Sequence, residues 1–390
     1  MAELRNIEPE GEKRILLFSQ RNIATHWLST CAIYEFEDII CDIDSVKMLS
    51  AGRAAWFNHG MRIANNKYLM RSGMVLNPGV SETKITGDYE MFFAYCQYPK
   101  ELLYVDSVKG WKNHCKKSVC WLDEIWRFEV PIMKSFMSIL KKFDHVIINC
   151  SESVDALNEA IGGAGKSIYL PPGVDGILFS PFPDPRPRPI DVYSIGRRGD
   201  VTHKALLRMA AERKIFYVYD TVNSSAQALD TKQHRSLVAN HVKRARYFIV
   251  NPGKKNDPDP RIRQNEFGIR FFEGAAAGAV LIGETPENEE FKKIFNWPDA
   301  VVHLPFDSEG IGALINEMDA QPERQEEARR NNVMRSLLQH DWVYRWERIL
   351  NMVGLKPMQQ LLERKRRLRE LSEVVVKEGR CIGQSDPGVS

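Results

Sequence analysis

Residues 265–284, Asn265-Glu-Phe-Gly-Ile-Arg-Phe-Phe-Glu-Gly-Ala-Ala-Ala-Gly-Ala-Val-Leu-Ile-Gly-Glu284, carry more of the chain's meaning than any other stretch. Gly268 permits a tight turn. Ile269 to Ala277 then reads as a short helix whose small residues, Gly274, Ala275, Ala276 and Ala277, allow close packing on a sheet. Gly278 suits the end of that helix, because glycine takes a left-handed conformation at little cost. Ala279 to Ile282 is an apolar run of buried-strand type. A helix that starts abruptly after glycine leaves backbone N–H groups unpaired at the positive end of its dipole, a seat for phosphate. Arg270 adds a full charge in the first turn. Glu273 follows one turn later on the same face, where a carboxylate accepts hydrogen bonds from ligand hydroxyls. Residue types alone fit an ordinary βα unit with a surface Arg–Glu pair equally well.

The rhythm of strand and helix extends outward from this unit. Asp191 to Ile195, Ile215 to Tyr219, Tyr247 to Val250 and Ala300 to Leu304 read as strands, with helices at Ala205 to Arg213 and His234 to Arg244. Upstream lies Pro181-Phe-Pro-Asp-Pro-Arg-Pro-Arg-Pro189, whose alternating prolines forbid helix and central strand and hold the chain as a semi-rigid linker. Before it, Arg14 to Ser19, Ser118 to Leu122, His145 to Asn149 and Ser167 to Leu170 read as strands, with Ile39 to Ile43 a weaker one. Val130 to Lys142 reads as helical, Ser151 as a helix cap, and Pro171-Pro-Gly-Val-Asp175 as a structural turn. Residues 60–100 yield no placeable elements.

Strands alternating with helices on both sides of a proline linker predict an α/β protein of two Rossmann-like, doubly wound domains facing a central cleft. The expected division is residues 1–180, a linker at 181–189, residues 190–340, and C-terminal helices over 341–390. Trp342, Tyr344 and Trp346 are expected anchors there. Leu355 to Glu378 reads as a long helix, and its Arg364, Lys365, Arg366, Arg367 and Arg369 as a solvated face. The other reading of that run is peripheral membrane contact, at about 1 kcal/mol per basic residue on an anionic bilayer. In open parallel sheets ligands bind beyond the carboxyl ends of the strands.

At 390 residues, 43% hydrophobic and 27% charged, the chain is a globular protein long enough for two cores. A net charge of +3 and the absence of nucleic-acid-binding motifs argue against a nucleic-acid partner. Seven cysteines without a Cys-x-x-Cys pair fit neither a disulfide framework nor a zinc site. With a polar N-terminus and no run of roughly 18 apolar residues, a cytoplasmic location is expected.

Three further places invite chemistry. Gly196-Arg197-Arg198-Gly199 follows a strand, so its glycines let the backbone approach a ligand and its guanidiniums suit phosphate oxygens. Arg261 and Arg263 are a second source of positive charge in the loop from Pro252 to Gln264. In the first half, Asp123 and Glu124 end a strand with Trp121 and Trp126 nearby to stack on a ring, and His26 lies in the loop after the first strand. An acidic pair there also serves as a helix cap.

The segment 265–284 resembles the donor-binding stretch of group 1 glycosyltransferases, the retaining enzymes of GT-B architecture. It is most similar to the spore-maturation-protein-like subgroup, in which an Arg-Phe-Phe-Glu run such as Arg270 to Glu273 precedes a small-residue helix. The resemblance is specific over roughly residues 165–345. It implies transfer of a sugar from a nucleoside diphosphate (UDP or GDP) to a glycan, lipid, protein or small-molecule acceptor, without metal or cofactor, and last helices that cross back onto the first domain. By the same resemblance Gly196, Arg197 and Arg198 meet the donor diphosphate. Lys204, beside His203, is the nearest match to a family lysine, though further from the arginine than is usual. Gly268, Ile269 and Arg270 hold phosphate and Glu273 the ribose. Asn265 stands where the family has the first of two glutamates, with Glu266 one residue off. Asp123, His26, Arg197 and Lys204 are the expected catalytic residues. A phosphorylase, an epimerase, or a nucleotide-sugar-binding protein without activity are the alternatives.

Overall fold

The computed structural model describes residues 13–23, 27–50, 52, 68–221, 228–262 and 264–382. Short apolar runs bounded by glycine, proline or polar residues become central strands. β1 (Ile15–Ser19), β2 (Val46–Ser50), β4 (Tyr89–Cys96), β6 (Cys115–Leu122), β7 (His145–Ile148) and β8 (Ser167–Tyr169) form one sheet in the order β2-β1-β4-β6-β7-β8. All its neighbours are parallel. β3 (Thr83–Lys84) and β5 (Val108–Lys109) make a small separate pair. A second parallel sheet holds β9 (Ile190–Ser194), β10 (Tyr217–Tyr219), β11 (Ala245–Val250), β12 (Val280–Gly283) and β13 (Val302–His303) in the order β10-β9-β11-β12-β13.

The run Ile39 to Ile43 belongs to helix α1 (Cys31–Ile43), which corrects the expected strand. Its buried residues Ile33, Phe36, Ile39, Ile40 and Ile43 recur at helical spacing, and the true neighbouring strand, β2, is a half-exposed edge with little apolar signal. Between Val130 and Leu140 a 3₁₀ turn precedes helix α2 (Lys134–Leu140). Ser151 does not cap α3 (Val154–Ile161); its hydroxyl donates to Glu266 Oε2 at 3.2 Å instead.

Helices α4 (Asp200–Ala211), α5 (Thr231–Lys243) and α6 (Arg270–Ala276) flank the second sheet. Asp230 caps α5 by accepting from the N–H groups of Lys232 and Gln233. In α6, Gly274 faces Leu281 and Phe248 so closely that a methyl group would overlap both. The small face read from sequence is thus a helix-on-sheet contact, and Gly278 ends the helix at φ 64°.

Helix α7 (Pro322–Gln339) packs on α6 and β12, and α8 (Trp342–Val353) and α9 (Gln359–Ile382) then cross back to the first-sheet side. Trp342 and Trp346 share a core with Phe36, Phe93 and Trp121, and Trp342 stacks on Phe36 at 4.6 Å. Tyr344 is only partly buried. At the crossing, Val174 forms a backbone bridge with Asp341, its carbonyl accepting from the Trp342 N–H and its own N–H donating to the His340 carbonyl, and Gly176 donates its N–H to the Asp341 carboxylate. Arg364 bonds both Asp175 and Asp341 at 2.7 Å, and Lys365 bonds Glu347. The front of the basic run is therefore internal wiring, which leaves Arg366, Arg367 and Arg369 as its exposed part. Among the described residues no helix is long and apolar enough to cross a membrane.

Candidate active site

The carboxyl ends of both sheets open onto one cavity of about 340 Å³. Its second-sheet wall follows two strands and a helix start. After β9 come Ile195, Gly196 and Arg197; after β11, the loop Asn251 to Asn256; after the turn before α6, Gly268, Ile269 and Arg270. The first-sheet wall is Asp123 and Glu124 after β6, Asn149 after β7, and Tyr95, Gln97 and Trp126.

Gly196 holds φ 86°, a conformation glycine adopts freely, and its N–H donates to Asp220 at 3.1 Å. That turn throws the two following arginines apart. Arg197 projects into the cavity, exposed and without a hydrogen bond or ion pair among the described residues. Arg198, also expected to meet the donor, pairs with Asp220, lies over Tyr219 and does not line the cavity. Lys204 is exposed on α4, one turn beyond the helix start, and does not line the cavity. His203 is held against the Tyr217 hydroxyl at 2.9 Å.

Arg270 lines the cavity and binds Glu273 Oε2 at 2.6 Å. Glu273 itself is fully buried beneath the cavity, its other oxygen taken by Arg235 of α5. It cannot reach a ribose in this arrangement, and two guanidiniums overcome burial to hold its carboxyl low, at about 2. Asn265 also lies off the cavity, its N–H on Glu152 and its carbonyl on Asn288. Glu266 touches the cavity, but its carboxylate accepts from the Glu152 N–H at 2.9 Å and from Ser151 and so ties the two walls together. Arg261 is paired with Asp259 away from the cavity, while His26 and Arg263 lie outside the described residues.

The positive charge that sequence reading missed comes from Lys254 and Lys255 in the loop after β11. Lys255 binds Glu284. Lys254 reaches across to Glu124 at 2.9 Å and lies 4.6 Å over Trp126. Nothing local marks two lysines in a polar loop; only the approach of residue 254 to residue 124 gives them a place.

On the facing wall Asp123 receives hydrogen bonds from the Asn149 amide and, at 3.4 Å, from the Tyr95 hydroxyl. Burial, aided by the neighbouring charge of Glu124, outweighs these bonds and raises its carboxyl to about 8. At neutral pH this favours the protonated, neutral form of Asp123. Among the described residues no group of three or more His, Cys, Asp or Glu is placed to hold a metal ion.

Two parallel α/β sheets with their carboxyl ends facing across a cleft, bridged by C-terminal helices, set the architecture. The fold is GT-B. Solved structures agree. One is HepE of Anabaena in complex with UDP and glucose, 12% identical, covering 88% of this chain and 99% of that one, with a TM-score of 0.54. An alpha-glucosyltransferase in complex with UDP and a 13-mer DNA is 10% identical over 87% and 99%, with a TM-score of 0.52. Sucrose-phosphate synthase from Thermosynechococcus elongatus is 12% identical over 88% and 97%, with a TM-score of 0.50. Residues 210–351, which run from the end of α4 through most of α8, match the family model described as glycosyl transferase-like. No curated protein sequence matches.

Proposed function

We propose that the protein transfers a glycosyl unit from a nucleoside-diphosphate sugar to a hydroxyl acceptor, with retention and without metal, in the manner of the spore-maturation-protein-like subgroup. The observation that carries this reading is the meeting of Arg197, Arg270, Lys254 and Lys255 in one cavity with the glycine turns at Gly196 and Gly268. Such a wall suits a diphosphate, whose charge grows as the anomeric bond breaks, and preplaced cations stabilise it most at that moment. Retention follows when the acceptor oxygen bonds the anomeric carbon on the face the diphosphate leaves. The acceptor proton then passes to the departing phosphate oxygen. Asp123 and Asn149 hold the sugar and acceptor hydroxyls on the opposite wall. The complexes of HepE and of the alpha-glucosyltransferase with UDP support a nucleoside diphosphate as the donor's leaving group.

The test is a titration with UDP and GDP followed by thermal unfolding and donor consumption. One of the two should raise the melting temperature, since a ligand at about 100 times its Kd adds roughly 2.7 kcal/mol to the folded state. Indifference to both sinks the proposal. Binding without turnover of any sugar donor would favour a binding protein instead.

The role of Asp123 makes a separate prediction. Its carboxyl is protonated below about pH 8 and ionises above it, next to the incoming diphosphate. The transfer rate is expected to fall as pH rises through that value. Asp123→Asn, permanently neutral, should flatten the alkaline limb and cost no more than about tenfold, short of the roughly 10²–10⁴ that loss of a general base costs. A collapse of rate in the Asn variant would assign Asp123 as the base.

A further inference from the structure

A second, smaller cavity of about 210 Å³ opens beside the first, on the first-sheet side. Tyr98, Met133 and Phe136 give it apolar surface, and Lys100, Glu124 and Glu129 give it charge. Three residues, Glu124, Trp126 and Lys254, line both cavities and form the wall between them. Two features of that wall call for a ligand. Trp126 is only 4% exposed, yet its indole N–H has no hydrogen-bond partner among the described residues, a costly state for a buried donor. Lys254 comes from the opposite sheet, in a left-handed backbone conformation (φ 53°) uncommon for lysine, and closes the passage by pairing with Glu124 over the Trp126 ring.

We propose that the side cavity is the acceptor site, that it takes one pyranose ring of a carbohydrate acceptor, and that Lys254 closes it until a bound nucleoside diphosphate draws the lysine away from Glu124. This rests on the glycosyl-transfer reading. An aromatic side chain can lie along the apolar face of a sugar ring, while carboxylates and an unused N–H answer its hydroxyls. An aliphatic chain in the same space would leave the Trp126 indole N–H and, once Lys254 has moved, Glu124 unanswered. The volume suits a single ring rather than an oligosaccharide. The diphosphate offers Lys254 a stronger partner than one carboxylate, so donor binding frees Glu124 for the acceptor and sets an order of addition. Asp123, the neighbour of Glu124, then stands where the acceptor hydroxyl enters the main cavity.

Saturation-transfer NMR with methyl glucoside, galactoside and mannoside, with and without UDP or GDP, tests this on the full chain. At least one glycoside should bind the nucleotide-saturated protein about tenfold more tightly than the free protein, and by reciprocity should tighten the nucleotide by the same factor. Lys254→Met should abolish that coupling by letting the glycoside bind without nucleotide. Met133→Trp, which fills the side cavity, should abolish glycoside binding and, measured without glycoside, leave nucleotide affinity within about twofold, because Met133 does not line the donor cavity. Binding of 4-methylumbelliferone in place of every glycoside overturns the proposal, as does glycoside binding that Met133→Trp leaves intact or that ignores nucleotide in the unaltered protein. Failure of UDP and GDP to bind overturns the donor reading instead; glycoside binding to Lys254→Met then still reports on the side cavity alone.

Discussion

Arg197→Ala is expected to slow glycosyl transfer by about 10²–10³, the effect of removing one preplaced donor from a developing negative charge, or roughly 3–4 kcal/mol. The residue merits this weight for two physical reasons. It is the cavity cation that no carboxylate neutralises among the described residues, whereas Lys254, Lys255 and Arg270 are held by Glu124, Glu284 and Glu273. It also follows directly on the left-handed Gly196, so its backbone direction is set by a turn rather than by a mobile side chain. Lys204→Ala serves as the contrast, because Lys204 is exposed on α4 outside the cavity and its loss should leave the rate within about twofold, as surface substitutions usually do. Steady-state kinetics with a radiolabelled donor decides between them. Equal losses in the two variants, or no loss in Arg197→Ala, would remove the diphosphate from this wall.

Much of the architecture was legible because central parallel strands are short, continuously apolar and punctuated. β1, β6, β7, β9, β11 and β12 fall on such runs. The exceptions have physical causes. In Ile39 to Ile43 a dense apolar cluster looks extended until Ile33 and Phe36 supply the helical period, and the edge strand β2 carries Lys47 and exposed Met48 in place of a hydrophobic run. The site was legible where chemistry lies in a local turn, as at Gly196-Arg197 and Gly268-Arg270. It was illegible where a distant residue decides direction. Arg197 and Arg198 are adjacent and alike, and only Asp220 separates their fates. Lys254 gains its meaning from Glu124 and Trp126 on the other sheet. Glu273 was rightly singled out as a charged residue beside Arg270, but α5 fills the space in front of it with Arg235, a guanidinium that local spacing does not announce.

That last arrangement yields the largest stability prediction. Arg235→Met is expected to destabilise the protein by about 3–5 kcal/mol, the usual cost of breaking a buried ion pair by removing one partner. Arg235 is 5% exposed and sits between Glu35 of α1, which it binds at 2.7 Å, and Glu273 of α6. Glu35 also accepts from the Trp342 indole at 2.8 Å and from the Asp175 N–H at 3.0 Å, so one guanidinium joins both sheets and the crossing C-terminal segment. The two carboxylates respond in opposite ways. Glu273, with Arg270 as a second cation, is held low; Glu35 is pushed up, because burial outweighs its single guanidinium. For Glu273 the sign is clear: a carboxyl at about 2 in the folded state and about 4.3 unfolded stabilises the fold above the higher value. That stability fades as pH falls towards the lower one. Urea unfolding of Arg235→Met at neutral pH should show the full loss. Adding Glu35→Gln should restore part of it by removing one stranded charge, a coupling of about 0.5–3 kcal/mol between contacting residues. Glu273→Gln should likewise lower stability, and it should weaken nucleotide binding only through the freed Arg270. A loss below about 1 kcal/mol in Arg235→Met would show that water reaches the cluster and screens the pairs there.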